Sequence, residues 1–358
     1  MDVDNITISF ESAEDFLDYL QIRKSHWLPR GRQTSPWVFR GQSNADWPLL
    51  PSSVRVAAPD EKRTEAEILI EKVKQECARE LGQVYVINRI IKRLEREGYD
   101  TNLFDPNMAP QKYFLELFWQ YAAEIRLVTE FSSFSDELGF SLPAIPGQLA
   151  TQRRIEEWAD FKDNACDNIA LYIANAARGR ESDSLRALQN YHCDVALAQH
   201  HGIPTRLLDW THKSLVAAYF AAEGVRFDES AENLAVWAIN TVHIRKTDLK
   251  SPYCLKSQLR YLHAQDSLFL YDARSNENFI LSGQWRSFDE VISAYEWSPD
   301  EIPLLKIVLP VSETTRLMML LRAEGITRAH LMPSYDNIAL TLKNQWSLHS
   351  DDAHRLAD

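Results

Sequence analysis

Cysteine is scarce in this chain. Four cysteines are spread over 358 residues, and no two of them form a C-x-x-C pair: Cys77, Cys166, Cys193 and Cys254. Disulfide frameworks need a high density of cysteines, and zinc or redox motifs need closely spaced pairs. The scarcity predicts reduced, mostly buried thiols, as in a cytoplasmic protein.

Long apolar runs are also missing. No stretch reaches the roughly 18 apolar residues that indicate a membrane-spanning helix. The N-terminal stretch MDVDNITISF is acidic and lacks the apolar core of a signal peptide. Internal repeats and low-complexity segments are absent as well. We therefore expect a globular, cytoplasmic protein that does not use a membrane.

Positive charge is in deficit. The chain has 39 Lys and Arg against 51 Asp and Glu, which gives a formal net charge of −12. A surface of this sign repels nucleic acid and anionic membranes. One basic strip is formed by Arg89, Lys92, Arg93 and Arg96, and we interpret it as a solvated helix face. Nucleic acid is therefore not favoured as a partner.

Several common functional motifs are absent. The chain has no Walker loop, no G-x-G-x-x-G, no H-E-x-x-H and no G-x-S-x-G. A site built from His192, Cys193, His200 and His201 would match no standard zinc spacing, so no metal is expected. These absences exclude the familiar forms of nucleotide-binding loops, metalloproteases and serine hydrolases.

The distribution of apolar residues predicts an α+β fold, with a small mixed sheet and a large helical insertion over roughly residues 60–200. Apolar residues recur with period 3.6 from Thr64 to about Glu97, which predicts one long helical stretch. Strands are predicted over residues 6–9, 35–42, 205–209, 233–240, 267–273, 304–310 and 326–333. Helices are also predicted over residues 12–21, 111–131, 147–179, 181–202, 211–224, 312–325, with Ser312 as N-cap, and 335–346.

The stretch QHHGIPTRLLDWTHKSLVAAYFAA, residues 199–222, concentrates polar and bulky groups at one junction. His200 and His201 end a predicted helix, Arg206 begins a short strand, and Asp209 ends it, followed by Trp210. Helix capping by Asp209 or the nearby Thr211, and packing of Trp210, explain part of this composition. They do not explain two histidines and an arginine near one end of the sheet, so we interpret the junction as a candidate site.

Two further places contribute candidate residues. Arg40 ends a predicted strand and is followed by Gly41, which permits close approach of the backbone, while the arginine offers a planar fork to phosphate or carboxylate. Arg260 and Gln265 precede the apolar strand SLFL, with Asp266 between. The alternative is structural: an Arg40–Asp ion pair, a glycine turn, and polar residues that cap or solvate the strand.

Four stretches resemble the blocks of an FRG domain, a family named for Phe39-Arg40-Gly41. They are VFRGQSNADWPLLPS, ALAQHHGIPTRLLDWTHKSLVAAYFAA, RYLHAQDSLFLYD and AEGITRAHLMPSYDNIALTL. The resemblance covers about residues 30–56 and 190–345. Two departures stand out: the third block has Gln265-Asp266-Ser267 where the family usually has Gln-Gln-Gly, and the fourth has MPSYDN where it usually has Phe-Pro-Asp-Leu-Asp-Gly.

The resemblance implies how the chain is divided and what it does. Residues 1–56 and 190–345 would form the two parts of the domain, residues 57–189 a helical insertion, and residues 346–358 a tail. FRG domains are widespread in bacteria and phages and are often suspected in anti-phage defence, so the resemblance implies an effector of anti-phage defence or of toxin type.

The block order is also similar to that of mono-ADP-ribosyltransferases. That family has an Arg on an early strand, then Ser-Thr-Ser leading into a V-A-x-x-F-A helix, then Glu-x-Glu before an apolar strand. Arg40, the triplet Asp209-Trp210-Thr211 and the pair Gln265-Asp266 stand at the matching places. The similarity implies an ADP-ribosyltransferase-like arrangement that binds NAD or a related nucleotide and acts at its glycosidic bond.

The two resemblances imply roles for individual residues. Candidate catalytic groups are His200, His201, Asp209, Gln265 and Asp266. Candidate ligand contacts are Phe39, Arg40, Gly41, Gln42, Arg206, Trp210, Thr211, Ser214 and Arg260.

Two other functions compete with this interpretation. The cleft could recognise a nucleotide or phage component without catalysis, with the helical insertion as the surface for a protein partner or a homo-oligomer. A metal-independent nuclease would instead use His200, His201 and Arg206.

Overall fold

The computed structural model describes residues 7–56, 63–103, 105, 111–143, 150–178, 180, 193–225, 231–252, 260–343 and 346. The strands are β1 Thr7–Ser9, β2 Trp37–Gln42, β3 Leu208–Thr211, β4 Asn233–Asn240, β5 Leu249–Lys250, β6 Ser267–Asp272 and β7 Leu304–Pro310. The helices are α1 Ala13–Leu20, α2 Glu65–Leu81, α3 Gln83–Arg96, α4 Gln111–Glu137, α5 Ala150–Ala177, α6 Cys193–His200, α7 Ser214–Glu223, α8 Arg260–Gln265, α9 Ser275–Ser282, α10 Phe288–Ser293, α11 Thr314–Ala323 and α12 Arg328–Leu331.

The strands form one mixed sheet in the order β1-β7-β4-β2-β3-β6-β5. Only the β1–β7 pair is parallel, and the remaining neighbours in this described sheet are antiparallel. β2 lies at the centre although it is early in the chain, and the helices from α2 to α6 separate it from its neighbour β3. This confirms the predicted α+β class with a mixed sheet.

Both faces of the sheet are covered by apolar side chains. On one face, α1, α7 and α11 pack on alternate residues of β2, β4 and β7, such as Phe39, Val236 and Ile307. On the other face, α10 packs on Val38 and Trp237. Alternation along each strand places successive side chains on opposite faces, so β2 contributes to both cores.

The helical segment has its own core, formed by α2, α3, α4, α5 and α9. The prediction of one helical stretch from Thr64 to Glu97 is wrong in one respect, because Gly82 adopts a φ of 76° and separates α2 from α3. The apolar period hides this break because both helices turn their apolar faces to the same core. No helix in the described residues combines the length and apolar character needed to cross a membrane.

Other local predictions need correction. ITRAHLMP contains the short helix α12 rather than a strand, and residues 335–343 after it are helical. Ser312 does not cap α11, whose N-cap is Glu313. Likewise, neither Asp209 nor Thr211 caps α7, whose N-cap is Lys213. By contrast, the Ser12 hydroxyl does accept the Asp15 N–H and caps α1 as predicted. Cys77 and Cys166 are buried free thiols, whereas Cys254 lies outside the described residues.

Candidate functional site

A cleft opens where β2 and β3 diverge. The two strands share one register pair, Phe39 with Thr211, whereas β2 pairs with β4 over six residues and β3 pairs with β6 over four. A cavity of about 250 Å³ lies at this divergence. Its polar lining comes from Arg40, Gln199, His200, Asp209, Thr211, Gln265 and Ser267. Its remaining lining is Phe39, Gly41, Trp210, Val216, Ala217, Phe220 and Met332.

The three residues Phe39-Arg40-Gly41 build one wall of the cleft. The Phe39 ring is fully buried and lies 4.9 Å from the ring of Trp27, centroid to centroid. Gly41 contacts helix α7 so closely that a Cβ atom there would lie 2.0 Å from the carbonyl oxygen of Ala217. Arg40, between them, has its side chain in the cleft. Phe39 and Gly41 therefore hold β2 against its neighbours, including α7, and Arg40 supplies the positive charge of this wall.

Arg40 bridges the gap between the diverging strands. Its Nη1 donates to the main-chain oxygen of Asp209 at 2.9 Å and lies 3.7 Å from the Asp209 carboxylate. Burial lowers the pKa of Arg40, and Asp209 offsets only part of that effect. Arg40 Nε is buried and has no hydrogen-bond partner in the described structure. The arginine thus has remaining donor capacity for a ligand.

Asp209 is the acid of the cleft. Its carboxylate accepts a hydrogen bond from Gln199 Nε2 at 3.2 Å, and the Thr205 hydroxyl holds that amide by donating to its oxygen at 2.7 Å. The Asp209 side chain is 43% exposed, so it is open to a ligand, whereas the Arg40 side chain is 15% exposed. Among the described lining residues it is the one carboxylate.

The adjacent histidines point to different surroundings. His200 lines the cleft, and burial lowers its pKa, with Asp209 opposing the shift and His201 adding to it. His201 is exposed and stacks on Phe131 of α4, at 6.1 Å between ring centroids. His200 is therefore the histidine of the cleft, where its lowered pKa favours the neutral imidazole, and His201 lies outside the cleft.

We expect acid to destabilise the protein partly through His200. Because its folded-state pKa is lowered, the unfolded chain takes up the proton first. The free energy of unfolding should therefore fall as the pH drops below about 6.5, the ordinary histidine value. Urea unfolding between about pH 7.5 and pH 5 measures this slope. His200→Gln should make it shallower, and an unchanged slope would contradict the assignment.

Another wall of the cleft is formed by the end of β3, the end of α8 and the start of β6. The Thr211 hydroxyl donates to the Gln265 main-chain oxygen at 2.5 Å and accepts from Lys213 N at 3.0 Å. The buried Gln265 amide donates to the Leu331 main-chain oxygen and accepts from Ser267 Oγ, each at 3.3 Å. Its side chain is thereby held in the cleft.

Asp266 has a backbone role next to this wall. Its φ of 47° makes it the one non-glycine residue with a positive φ in the described part of the chain. Aspartate tolerates this left-handed conformation better than most residues. Its main-chain oxygen accepts from His212 N at 3.1 Å, and Asp266 is not among the lining residues of the cleft.

Two other predicted contacts, Gln42 and Ser214, lie away from the cleft, and the side chain of a third is not described. Gln42 is buried, accepts from the Trp237 indole at 2.6 Å and donates to the Pro48 oxygen at 3.3 Å. The Ser214 hydroxyl donates to the main-chain oxygen of Leu20. Arg260 begins α8, and its side chain lies outside the described part of the structure.

Arg206 joins the sheet to the helical segment instead of lining the cleft. Its Nε donates to both carboxylate oxygens of Glu124 on α4, at 2.9 and 2.8 Å, and its Nη1 donates to Asn276. The guanidinium also lies 4.6 Å from the ring centroid of Trp285. Of the three residues required by the nuclease hypothesis, His200, His201 and Arg206, the cleft contains His200 alone.

The cleft also contains residues that were not singled out from the sequence. Gln199, which binds Asp209, precedes the paired histidines, and Met332 belongs to the fourth resemblance block.

Two of the four residues of the basic strip on α3 are paired: Arg89 lies 3.6 Å from Asp163 and Arg93 lies 2.8 Å from Glu97. Within the described residues, no group of three or more His, Cys, Asp or Glu side chains could hold a metal ion.

One comparison with known proteins gives a match. The family model of the FRG domain matches residues 147–230, which include α5, α6, β3 and α7. Neither the curated proteins nor the solved structures gave a match. The matched range contains His200, Asp209 and Thr211 of the cleft, and it begins within the predicted helical insertion. The division at residues 57 and 190 stays a prediction.

Proposed function

We propose that this protein, which contains an FRG domain, binds NAD or a related nucleotide in the cleft between β2 and β3 and acts at its glycosidic bond. One observation carries the proposal. The neighbouring strands β2 and β3 and the end of α8, just before β6, bring Arg40, Asp209, Thr211 and Gln265 to one cavity. This is the order in which mono-ADP-ribosyltransferases arrange their site, which supports the predicted ADP-ribosyltransferase-like arrangement.

The lining residues supply the groups that this reaction needs. The bond between ribose C1′ and the base nitrogen breaks, its electron pair leaves with the base, and positive charge develops on the ribose. The Asp209 carboxylate would stabilise that charge. The neutral His200 would take the proton of the attacking water or target hydroxyl as the new C–O bond forms. Arg40 would bind a phosphate oxygen, and Gln265 would orient the base.

Asp209 rather than Asp266 is the better candidate for the charge-stabilising acid. Both residues are alternatives from the sequence, and Asp209 alone lines the described cleft. Its carboxylate is held by Gln199 and remains open to solvent. In this proposal, Asp209 on β3 would take the place of the glutamate found in ADP-ribosyltransferases.

The biological role we propose is that of an effector in anti-phage defence or of toxin type, since an activity that consumes NAD depletes a host cell. The helical segment would bind a protein partner or a second copy of the chain. Large apolar side chains at the surface of α3 and α4 support this, among them Val84, 71% exposed, and Phe134, 62% exposed.

The histidine pair provides a matched test of catalysis. His200→Ala should lower nicotinamide release from NAD by about a hundredfold, because general acid–base groups typically contribute that much or more. His201→Ala removes the same group one position away, outside the cleft, and should stay within about twofold of the parent protein. Chromatography of released nicotinamide measures both. Equal effects of the two substitutions would contradict the assignment.

A binding module without catalysis is the second candidate. One observation favours it: the side chains of Arg40 and Gln265 already donate hydrogen bonds within the protein, to the main-chain oxygens of Asp209 and Leu331. Calorimetry of NAD binding separates the two. Tight binding that Arg40→Ala weakens, without nicotinamide release, would identify the module. Absence of NAD binding would refute the proposal in both forms.

A further inference from the structure

A second cavity, of about 130 Å³, lies between the segment after β2, helix α2 and helix α4. Its wall includes Ser53, Arg55 and Arg63, with Gln120 and Trp285 on the side of the helical segment. None of these residues was singled out from the sequence. Some polar groups in this wall are hydrogen-bonded within the protein, and others are not.

Ser53 lines this cavity and has a buried hydroxyl without a partner in the described structure. The residue is 2% exposed, and its Oγ has no hydrogen-bond partner in the described structure. Its backbone is fixed, since Ser53 N donates to the Thr205 oxygen at 3.2 Å and Gln120 Nε2 donates to the Ser53 oxygen at 2.7 Å. Buried hydroxyls without a partner are costly, so a ligand oxygen in the cavity that accepted a hydrogen bond from Ser53 would remove this cost.

Arg55 is a cation without sufficient compensation. Its Nε donates to the Leu50 oxygen at 2.9 Å, and within the described residues no hydrogen bond involves its two terminal nitrogens. Burial and the positive charge of Arg40 lower the pKa of Arg55 to about 10, despite the opposing effect of Glu67 and Asp209. A guanidinium in this position favours an incoming anion.

The carboxylates of the same wall are already occupied. Glu67 completes a capping box by accepting from Thr64 N at 2.6 Å and from the Thr64 hydroxyl at 2.9 Å. Glu71 lies 3.5 Å from Lys74. Lys74 is paired with Glu71, whereas the described residues form no ion pair with Arg55 or Arg63, so these two cations of the wall remain available to a ligand.

We propose that the cavity lined by Ser53, Arg55 and Arg63 is a phosphate-binding subsite, which takes a phosphate of the nucleotide whose base and ribose occupy the cleft. Guanidinium forks and a hydroxyl donor match the oxygens of a phosphate group. The subsite lies next to the cleft, because Ser53 N donates to the Thr205 oxygen at 3.2 Å and the Thr205 hydroxyl donates to Gln199 of the cleft lining at 2.7 Å. The assignment of both cavities to one ligand rests on the proposed function, whereas phosphate binding itself does not.

The first experiment compares two ligands that share a base and ribose. Calorimetry with NAD and with nicotinamide riboside, which lacks phosphate, is done on the parent protein and on Arg55→Gln. The substitution should weaken NAD binding about tenfold or more, as expected for a lost charged hydrogen bond, and leave the riboside within about twofold. Arg79→Gln, which removes an exposed arginine paired with Glu76 on the same helix α2, is the matched control. Equal binding of NAD to the parent and Arg55→Gln proteins, or equal weakening of both ligands, would overturn the subsite.

The second experiment uses inorganic pyrophosphate as the probe. The parent protein should bind it, and both Arg55→Gln and Ser53→Ala should weaken that binding about tenfold. Ser53→Ala should not lower the melting temperature, because it removes an unpaired buried hydroxyl, and this separates a ligand contact from a structural role. Pyrophosphate binding without NAD or riboside binding would refute the proposed function and retain the subsite. No pyrophosphate binding by the parent protein, or binding unchanged in both variants, would overturn the subsite.

Discussion

Gly41→Ala should leave little folded protein. An alanine Cβ at this position would lie 2.0 Å from the Ala217 oxygen and 2.6 Å from the Ala221 nitrogen, both main-chain atoms of α7. Main-chain atoms of a helix cannot rotate away as a side chain can, so helix and strand must separate. Overpacking of this severity exceeds the usual range, and we expect a loss of about 4 kcal/mol or more. That is a large part of the roughly 5–15 kcal/mol that stabilises a typical domain.

Urea unfolding followed by circular dichroism measures this loss. Gly139→Ala is the control, since an alanine Cβ there would meet no atom within 4 Å, and its φ of 75° leaves conformational strain alone. That strain costs about 1–2 kcal/mol. If the two substitutions destabilised the protein equally, the close contact of β2 with α7 would not be the reason why glycine is required in the Phe-Arg-Gly motif.

Arg206→Met should lower the free energy of unfolding by about 3–5 kcal/mol, because it leaves a buried carboxylate without its cation. The side chains of Arg206 and Glu124 are only 4% and 12% exposed, so water cannot replace the lost partner. The change would also remove the guanidinium from the face of Trp285. The loss of unfolding free energy would measure how strongly this contact attaches the helical segment to the sheet.

A double-mutant cycle with Glu124→Gln isolates the pair. The double variant should be more stable than Arg206→Met alone, because the uncompensated charge is gone. Lys24→Met, which breaks an exposed ion pair with Asp18, should cost no more than about 1 kcal/mol. Additive losses in the Arg206–Glu124 cycle would show that the two side chains do not stabilise each other.

The strands of the sheet follow from the sequence more readily than its helices do. The apolar runs that became β2, β4, β6 and β7 are short and bounded by turn residues, so their type was predicted correctly. The break at Gly82 was missed because both flanking helices keep their apolar faces on one core. ITRAHLMP was predicted as a strand from its apolar content. It contains the four-residue helix α12 instead, in which Leu331 is the buried side chain.

The polar lining of the cleft was predicted in large part, since Arg40, His200, Asp209, Thr211 and Gln265 all lie in it. What the sequence could not supply was direction and long-range pairing. Adjacent residues at a helix end diverge by about 100° around its axis, so either histidine could have faced the sheet. Arg206 looked like a site residue because its partner, Glu124, lies 82 residues earlier.

The divergence of β2 and β3 has a consequence for the order in which the chain acquires its site. Arg40 and Asp209 are separated by 169 residues along the sequence. At about 5–20 residues per second, a ribosome needs on the order of ten to thirty seconds to add that interval. During synthesis Arg40 is therefore added long before Asp209, and Gln265 follows later still. A nascent chain that ends before Gln265 cannot form the cleft, so any chemistry done there begins only after the ribosome has added that residue.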